Sequence, residues 1–121
     1  MSSIEKSSEI KSVFSSITIE KRVNLLSSLA LEITIRARGA YPTHVGEEAE
    51  VAKLIALNEI QHTITGQLAN MLAKDEARYP DDVFFDILFE KAKSSFCDED
   101  LFIAIGFAFG HVGHYIDVLS P

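Results

Sequence analysis

Several sequence features are absent or scarce in this chain, and each absence excludes a class of protein. It has one cysteine, Cys97, among 121 residues. A single cysteine excludes a disulfide framework and indicates a reducing compartment. The longest strongly apolar stretch, residues 101–113, is shorter than the roughly 20 residues that a membrane helix needs. The N-terminal residues contain no apolar run of the kind found in signal peptides. We therefore expect a soluble cytoplasmic protein that does not bind a membrane.

Basic residues are scarce as well. Eighteen acidic and 11 basic residues give a formal charge of −7. This balance disfavours nucleic acid and anionic membranes as partners, because both are bound through positive surfaces. The basic pair Arg36 and Arg38 lies where a helix is predicted to end, a position at which positive charge is stabilising. Arg36 also follows Glu32 by four residues, the spacing of a helical ion pair.

What the chain does have is helical periodicity over the length of one ordinary domain. Apolar residues recur at i+3 and i+4 spacing, and no strand pattern is long enough to compete. The pattern predicts four helices, at about 19–38, 47–74, from 80 to the mid-90s, and from about 97 to 116.

These helices predict an all-α fold, with a four-helix bundle as the simplest architecture. The bundle domain is expected to comprise residues 17–121. Residues 1–16 are serine-rich and form an N-terminal leader, either loosely ordered or a short helix.

Four hydrogen-bonding side chains follow the edge of the apolar side of the second predicted helix. They are Asn58, Gln61, His62 and Thr65. Buried amides and imidazoles lose about 1–3 kcal/mol each unless they find partners. We expect this row to form a polar network between helices or between subunits, with His62 as the residue best suited to bind a ligand instead.

Metal binding is the alternative use of the histidines. Glu59 and His62 form a Glu-x-x-His motif that resembles half of a ferritin-like di-iron site, but the chain has no second such motif. His62, His111 and His114 resemble the three-histidine bundles of the DinB-like family in ligand type and helical class. Three histidines can hold zinc or iron with an open position. The sequence favours no metal and no cofactor, and a metal-binding or small-molecule-binding bundle on these histidines remains the alternative.

The fourth predicted helix is apolar on nearly all sides, which is typical of a central or interfacial helix. Gly106, Gly110 and Gly113 share one side of it, at a cost of about 1 kcal/mol each in helix propensity. Close packing against a helix of the same chain or of a second copy would offset this cost.

Motifs of known catalytic machinery are missing from the sequence. There is no nucleophile elbow, no Walker A loop and no dinucleotide-binding glycine pattern. We therefore expect a non-enzymatic protein that forms a homodimer or binds another protein. Its predicted interface consists of Phe102, Gly106, Phe109, Gly110 and Gly113.

Overall fold

A computed structural model describes residues 3–39, 48–73 and 79–116, and within them the regular secondary structure is helical throughout, with short turns between the helices. The predicted all-α class is confirmed. The limits predicted for the second helix, Glu47 and Lys74, lie outside the described residues. The described helices are α1 (Ser3–Ser16), α2 (Ile19–Gly39), α3 (Glu48–Leu72), α4 (Asp81–Ser94) and α5 (Asp98–His111).

Helices α2 to α5 form a four-membered ring. Both α2 and α4 pack against α3 and against α5, so α3 and α5 lie on a diagonal of the bundle. The outer sides of α3 and α5 therefore face away from each other. Helix α1 packs mainly on α4. None of the helices in the described part of the chain combines the length and the apolar character that crossing a bilayer requires.

The N-terminal segment is a short helix, one of the two forms expected for it, and it contributes to the core. Ile10 and Phe14 are buried, and the Phe14 ring meets Phe85 of α4 edge-on, with the ring centroids 5.0 Å apart. Arg22 of α2 fixes the turn between α1 and α2. Its Nε donates to the carbonyl oxygens of Phe14 at 3.0 Å and Ile17 at 3.1 Å.

The periodic apolar residues of α2 form the centre of the bundle. Leu26, Leu29, Ile33 and Ala37 follow each other at i+3 or i+4 spacing, and all four are buried. Full burial of a leucine or isoleucine side chain stabilises the fold by about 1.5–3 kcal/mol. This stripe determines which side of α2 faces its neighbours.

Acidic residues begin α4 and α5, as the sequence predicts. Asp81 and Asp82 lie in the first turn of α4, and Asp98, Glu99 and Asp100 lie in the first turn of α5. Negative charge at a helix N-terminus is stabilised by the helix dipole. These carboxylates therefore have a structural explanation.

One amide side chain lies inside the core and joins α3 to the start of α4. Gln67 is 1% exposed. Its Nε2 donates to the carbonyl oxygen of Tyr79 at 2.7 Å, and the Tyr79 N–H donates to its Oε1 at 3.1 Å. Because both ends of the amide have partners, its burial leaves no unpaired group. The sequence pattern did not single out Gln67, although it continues the stripe of Ile60 and Ile64 by a step of three.

Helix α5 ends earlier than predicted. The expectation that it continues to residue 116 is wrong, because Gly113 adopts a left-handed conformation with φ of +83°. The His114 N–H donates to the carbonyl oxygen of Phe109 at 2.8 Å, and the Gly113 N–H donates to that of Gly110 at 3.1 Å. These two bonds form a Schellman motif, which ends the helix and takes Gly113 off its surface.

Candidate interaction surface

The predicted polar row on α3 divides between two environments. Asn58, His62 and Thr65 are exposed on the outer side of the helix. Gln61 is half-buried, and its Nε2 donates to Oγ1 of Thr34 on α2 at 2.5 Å. The row therefore provides one hydrogen bond between helices within the chain. Its other three members face away from α2 and lie on the open surface.

The three histidines proposed as alternative metal ligands lie in two separate elements of the fold. His62 lies on the outer side of α3, while His111 ends α5 and His114 follows it. Among residues 3–39, 48–73 and 79–116, no group of three or more His, Cys, Asp or Glu side chains could hold an ion. The geometry of the described residues thus gives no support to a three-histidine centre.

Glu59, the other half of the ferritin-like motif, faces α4. It accepts a hydrogen bond from Lys91 Nζ at 3.2 Å, and both side chains are partly open to solvent. This ion pair accounts for Glu59 without a metal. An exposed pair of this kind stabilises a fold by about 1 kcal/mol at most.

Among the described residues, a shallow cleft lies near the end of α5. It is open to solvent, has a volume of about 700 Å³, and contains His111 but not His62. Its lining consists of Thr18, Glu20, Lys21, Asn24, Ser27, Ser28, His111 and Val112. Ligand sites are usually more enclosed and more apolar than this.

The five residues predicted to form an interface fall into three groups. Phe102 and Phe109 are buried in the core of their own chain, and Phe102 stacks on Phe89 at 5.5 Å between centroids. Gly113 lies beyond the end of α5. Only Gly106 and Gly110 lie on the outer side of the helix, half-buried and exposed respectively.

The outer side of α5 is nevertheless largely apolar, and we call it the α5 face. Phe107 is 51% exposed. A Cβ atom added to Gly110 would meet no atom of the described residues within 4 Å. Close packing against the described residues therefore does not explain Gly110, and a contact with another molecule remains as the predicted explanation. The α5 face consists of Glu99, Ile103, Gly106, Phe107 and Gly110.

The positively charged side chain of Arg36 lies at the edge of this face. The guanidinium carbon of Arg36 is 5.9 Å from the centroid of the Phe107 ring, within the range of a cation–π contact. The Nε atom of Arg36 is buried and has no hydrogen-bond partner. The ion pairs found among the described residues do not include the predicted pair with Glu32. Arg36 is thus a positive group with no carboxylate partner in the described part of the chain.

A second exposed apolar region lies at the turn between α4 and α5. Phe96 is 88% exposed and has φ of +58°, which is unusual for a residue with a side chain. Ser95, next to it, lines an open cleft of about 270 Å³ together with Ile55 of α3. The sequence signal for this turn is indirect. The segment after α4 needs a left-handed residue, and it contains neither glycine nor asparagine.

The same turn is followed by the cysteine of the chain, Cys97, whose thiol is buried. Cys97 is fully buried at the start of α5. Burial, with a smaller contribution from the charge of Asp100, raises the pKa of its thiol to about 11. The thiolate is the reactive form of cysteine, so this environment opposes its use as a nucleophile.

An ion pair joins α3 to the start of α5 beside this thiol. Lys53 Nζ lies 2.8 Å from Oδ2 of Asp100. The hydrogen bond to that carboxylate raises the pKa of Lys53 above its ordinary value. Asp100 is therefore engaged within the chain, whereas Glu99 beside it makes no ion pair with a described residue.

Comparison with known proteins adds no relative. No family model, curated protein or solved structure matches this chain.

Proposed function

We propose that this chain is a small non-enzymatic protein that acts through protein–protein interaction, with the α5 face pairing two copies into a homodimer. The observation that carries the proposal is the combination of a half-exposed Phe107 with Gly110, whose missing side chain leaves open space. Exposed glycine inside a helix costs about 1 kcal/mol relative to alanine. A backbone that another molecule approaches closely would offset that cost.

The state of the cysteine bears on the cell compartment. Cys97 is unpaired and buried, which agrees with a reducing compartment such as the cytoplasm. We propose a cytoplasmic homodimer on this basis.

The sharpest test is Gly110→Ala, because it has opposite effects on folding and on pairing. The added methyl group meets no atom of the described residues within 4 Å. We therefore expect the free energy of unfolding, measured at a concentration that keeps the protein monomeric, to rise by about 0.5–1 kcal/mol. At the interface the same methyl group separates the two helices. Sedimentation equilibrium should therefore show weaker association than for the wild type.

A matched pair of charge substitutions locates the interface. Phe107→Asp places a carboxylate on the α5 face, whereas Ile55→Asp does so on α3, across the diagonal of the bundle, at a site of similar exposure (53% against 51%). We expect Phe107→Asp to give monomers and Ile55→Asp to leave the dimer intact. Loss of the dimer in Ile55→Asp alone would place the contact at the turn between α4 and α5, beside Phe96. A wild-type chain that is monomeric at about 1 mM, a weak-binding limit, would refute the proposal.

A further inference from the structure

The two ends of the α5 face carry opposite charge. Glu99, at the N-terminal end, is exposed and has no ion-pair partner among the described residues. Arg36 lies over Phe107, eight residues further along, which is about 12 Å at 1.5 Å per residue. Between these ends the face carries Ile103 and Gly106 and no charge. The face is thus acidic at one end, apolar in the middle and basic at the other end.

Such a surface is complementary to itself when it is turned around. A two-fold axis that crosses the face near Ile103 places the N-terminal half of one α5 beside the C-terminal half of the other. Glu99 then lies opposite residue 107 of the second copy, because both are four residues from Ile103. Parallel pairing would instead bring Glu99 against Glu99 and Arg36 against Arg36, which like-charge repulsion disfavours.

We propose that the α5 face binds a second copy of this chain in antiparallel orientation, with Glu99 of each copy paired to Arg36 of the other. The inference rests on the proposed function, and it adds the orientation and the charged contacts that select the partner. Arg36 suits this role because its guanidinium lies on the Phe107 ring and has no carboxylate partner among the described residues. Gly106 allows the two helices to approach closely between the charged ends, and Gly110 does so just beyond Phe107.

Charge reversal with mixing of two variants tests this orientation. A dimer of Glu99→Arg contains two contacts between arginines, and a dimer of Arg36→Glu contains two contacts between glutamates. We expect each variant alone to dissociate about tenfold more readily than the wild type. In an equimolar mixture the two variants can form a heterodimer. One of its contacts joins the introduced arginine to the introduced glutamate, and the other joins the native Arg36 to the native Glu99, so both contacts have opposite charges. The mixture, and likewise the chain that carries both substitutions, should associate as the wild type does in sedimentation velocity.

Controls separate pairing from folding. Glu90→Arg reverses an exposed charge on α4 and should leave the association unchanged. Circular dichroism establishes that each variant is folded. If Arg36→Glu does not fold, a double-mutant cycle with Glu99→Gln and Arg36→Gln replaces it, and the two substitutions should then weaken association by the same factor together as either does alone.

The outcomes distinguish the two proposals. Recovery of association in the mixture supports the antiparallel pairing. A wild-type dimer that Phe107→Asp disrupts, but in which charge reversal has no effect or mixing restores nothing, overturns the antiparallel pairing and leaves the proposed function intact. A monomeric wild type overturns both.

Discussion

Phe96 occupies the position that ends α4, and glycine at this position is expected to make the fold more stable. The Cys97 N–H donates to the carbonyl oxygen of Ala92 at 2.9 Å, and the Phe96 N–H donates to that of Lys93 at 3.4 Å. The same pair of bonds ends α5, where the left-handed residue is Gly113. The two motifs differ mainly in that one of them forces a phenylalanine to positive φ.

The size of the effect follows from two opposing terms. The left-handed conformation costs a residue with a Cβ atom about 1–2 kcal/mol. Glycine removes this strain but leaves the unfolded chain more freedom, which costs about 0.5–1 kcal/mol. Because the Phe96 ring is 88% exposed, its loss removes little buried area. We expect Phe96→Gly to raise the free energy of unfolding by about 0.5–1 kcal/mol, or the melting temperature by about 2–6 °C.

Urea denaturation followed by circular dichroism measures this difference, with two control variants. Phe96→Ala removes the ring but keeps the Cβ atom, so its stability should stay close to that of the wild type. Gly113→Ala makes the reverse change at the end of α5. The added Cβ meets no described atom within 4 Å, so its expected cost of about 1 kcal/mol is conformational. If Phe96→Gly is no more stable than Phe96→Ala, strain at this turn is not the explanation.

Four further predictions concern the core. Gln67→Leu removes both partners of the Tyr79 backbone and should lower the free energy of unfolding by about 1–3 kcal/mol; a loss below about 0.5 kcal/mol would mean that water replaces the amide. Phe14→Ala should cost about 3–5 kcal/mol, since its ring is buried against α4; a cost below about 1 kcal/mol would make α1 a detachable leader. With a pKa of about 11 in the folded protein against an ordinary 9.0, the Cys97 thiol should react with Ellman's reagent at pH 8 at least about 100-fold more slowly in the native than in the urea-unfolded chain. Equal reaction rates in the native and unfolded chain would contradict burial of the thiol. The same pKa shift should lower the free energy of unfolding as the pH rises from about 9 to 11, because the unfolded thiol loses its proton while the native thiol keeps it.

The helices were largely predictable because their signals are local. The first predicted helix, 19–38, corresponds to α2 (Ile19–Gly39). Its apolar residues recur at the helical period, and Gly39 lies where the pattern stops. The end of α5 was not predictable in the same way. Its apolar pattern continues past Gly110, and only the hydrogen bonds around Gly113 decide where the helix ends.

The surroundings of the polar row on α3 depend on the packing of neighbouring helices. Periodicity gives the direction of Asn58, Gln61 and His62 around their own helix axis. It does not give how far α2 and α4 extend around that helix. Gln61 points to the side that α2 covers and reaches Thr34, while Asn58 and His62 lie beyond the covered part. A polar residue at the edge of an apolar stripe can therefore be part of an interhelical contact or exposed to solvent, and the difference is a matter of neighbouring side chains.

The apolar character of α5 has a similar geometric reason, and it bears on function. In a ring of four helices each helix has two adjacent neighbours, which cover its inner side only. A helix that is apolar all round must then leave part of its apolar surface outside. Residues 101–110 contain no charged side chain, so about three turns of α5 present Ile103 and Phe107 without the charges that normally keep an outer surface in water. The core accounts for Phe102 and Phe109, but it does not account for this outer side. The proposed partner on the α5 face would account for it, which is why association is the first property to measure.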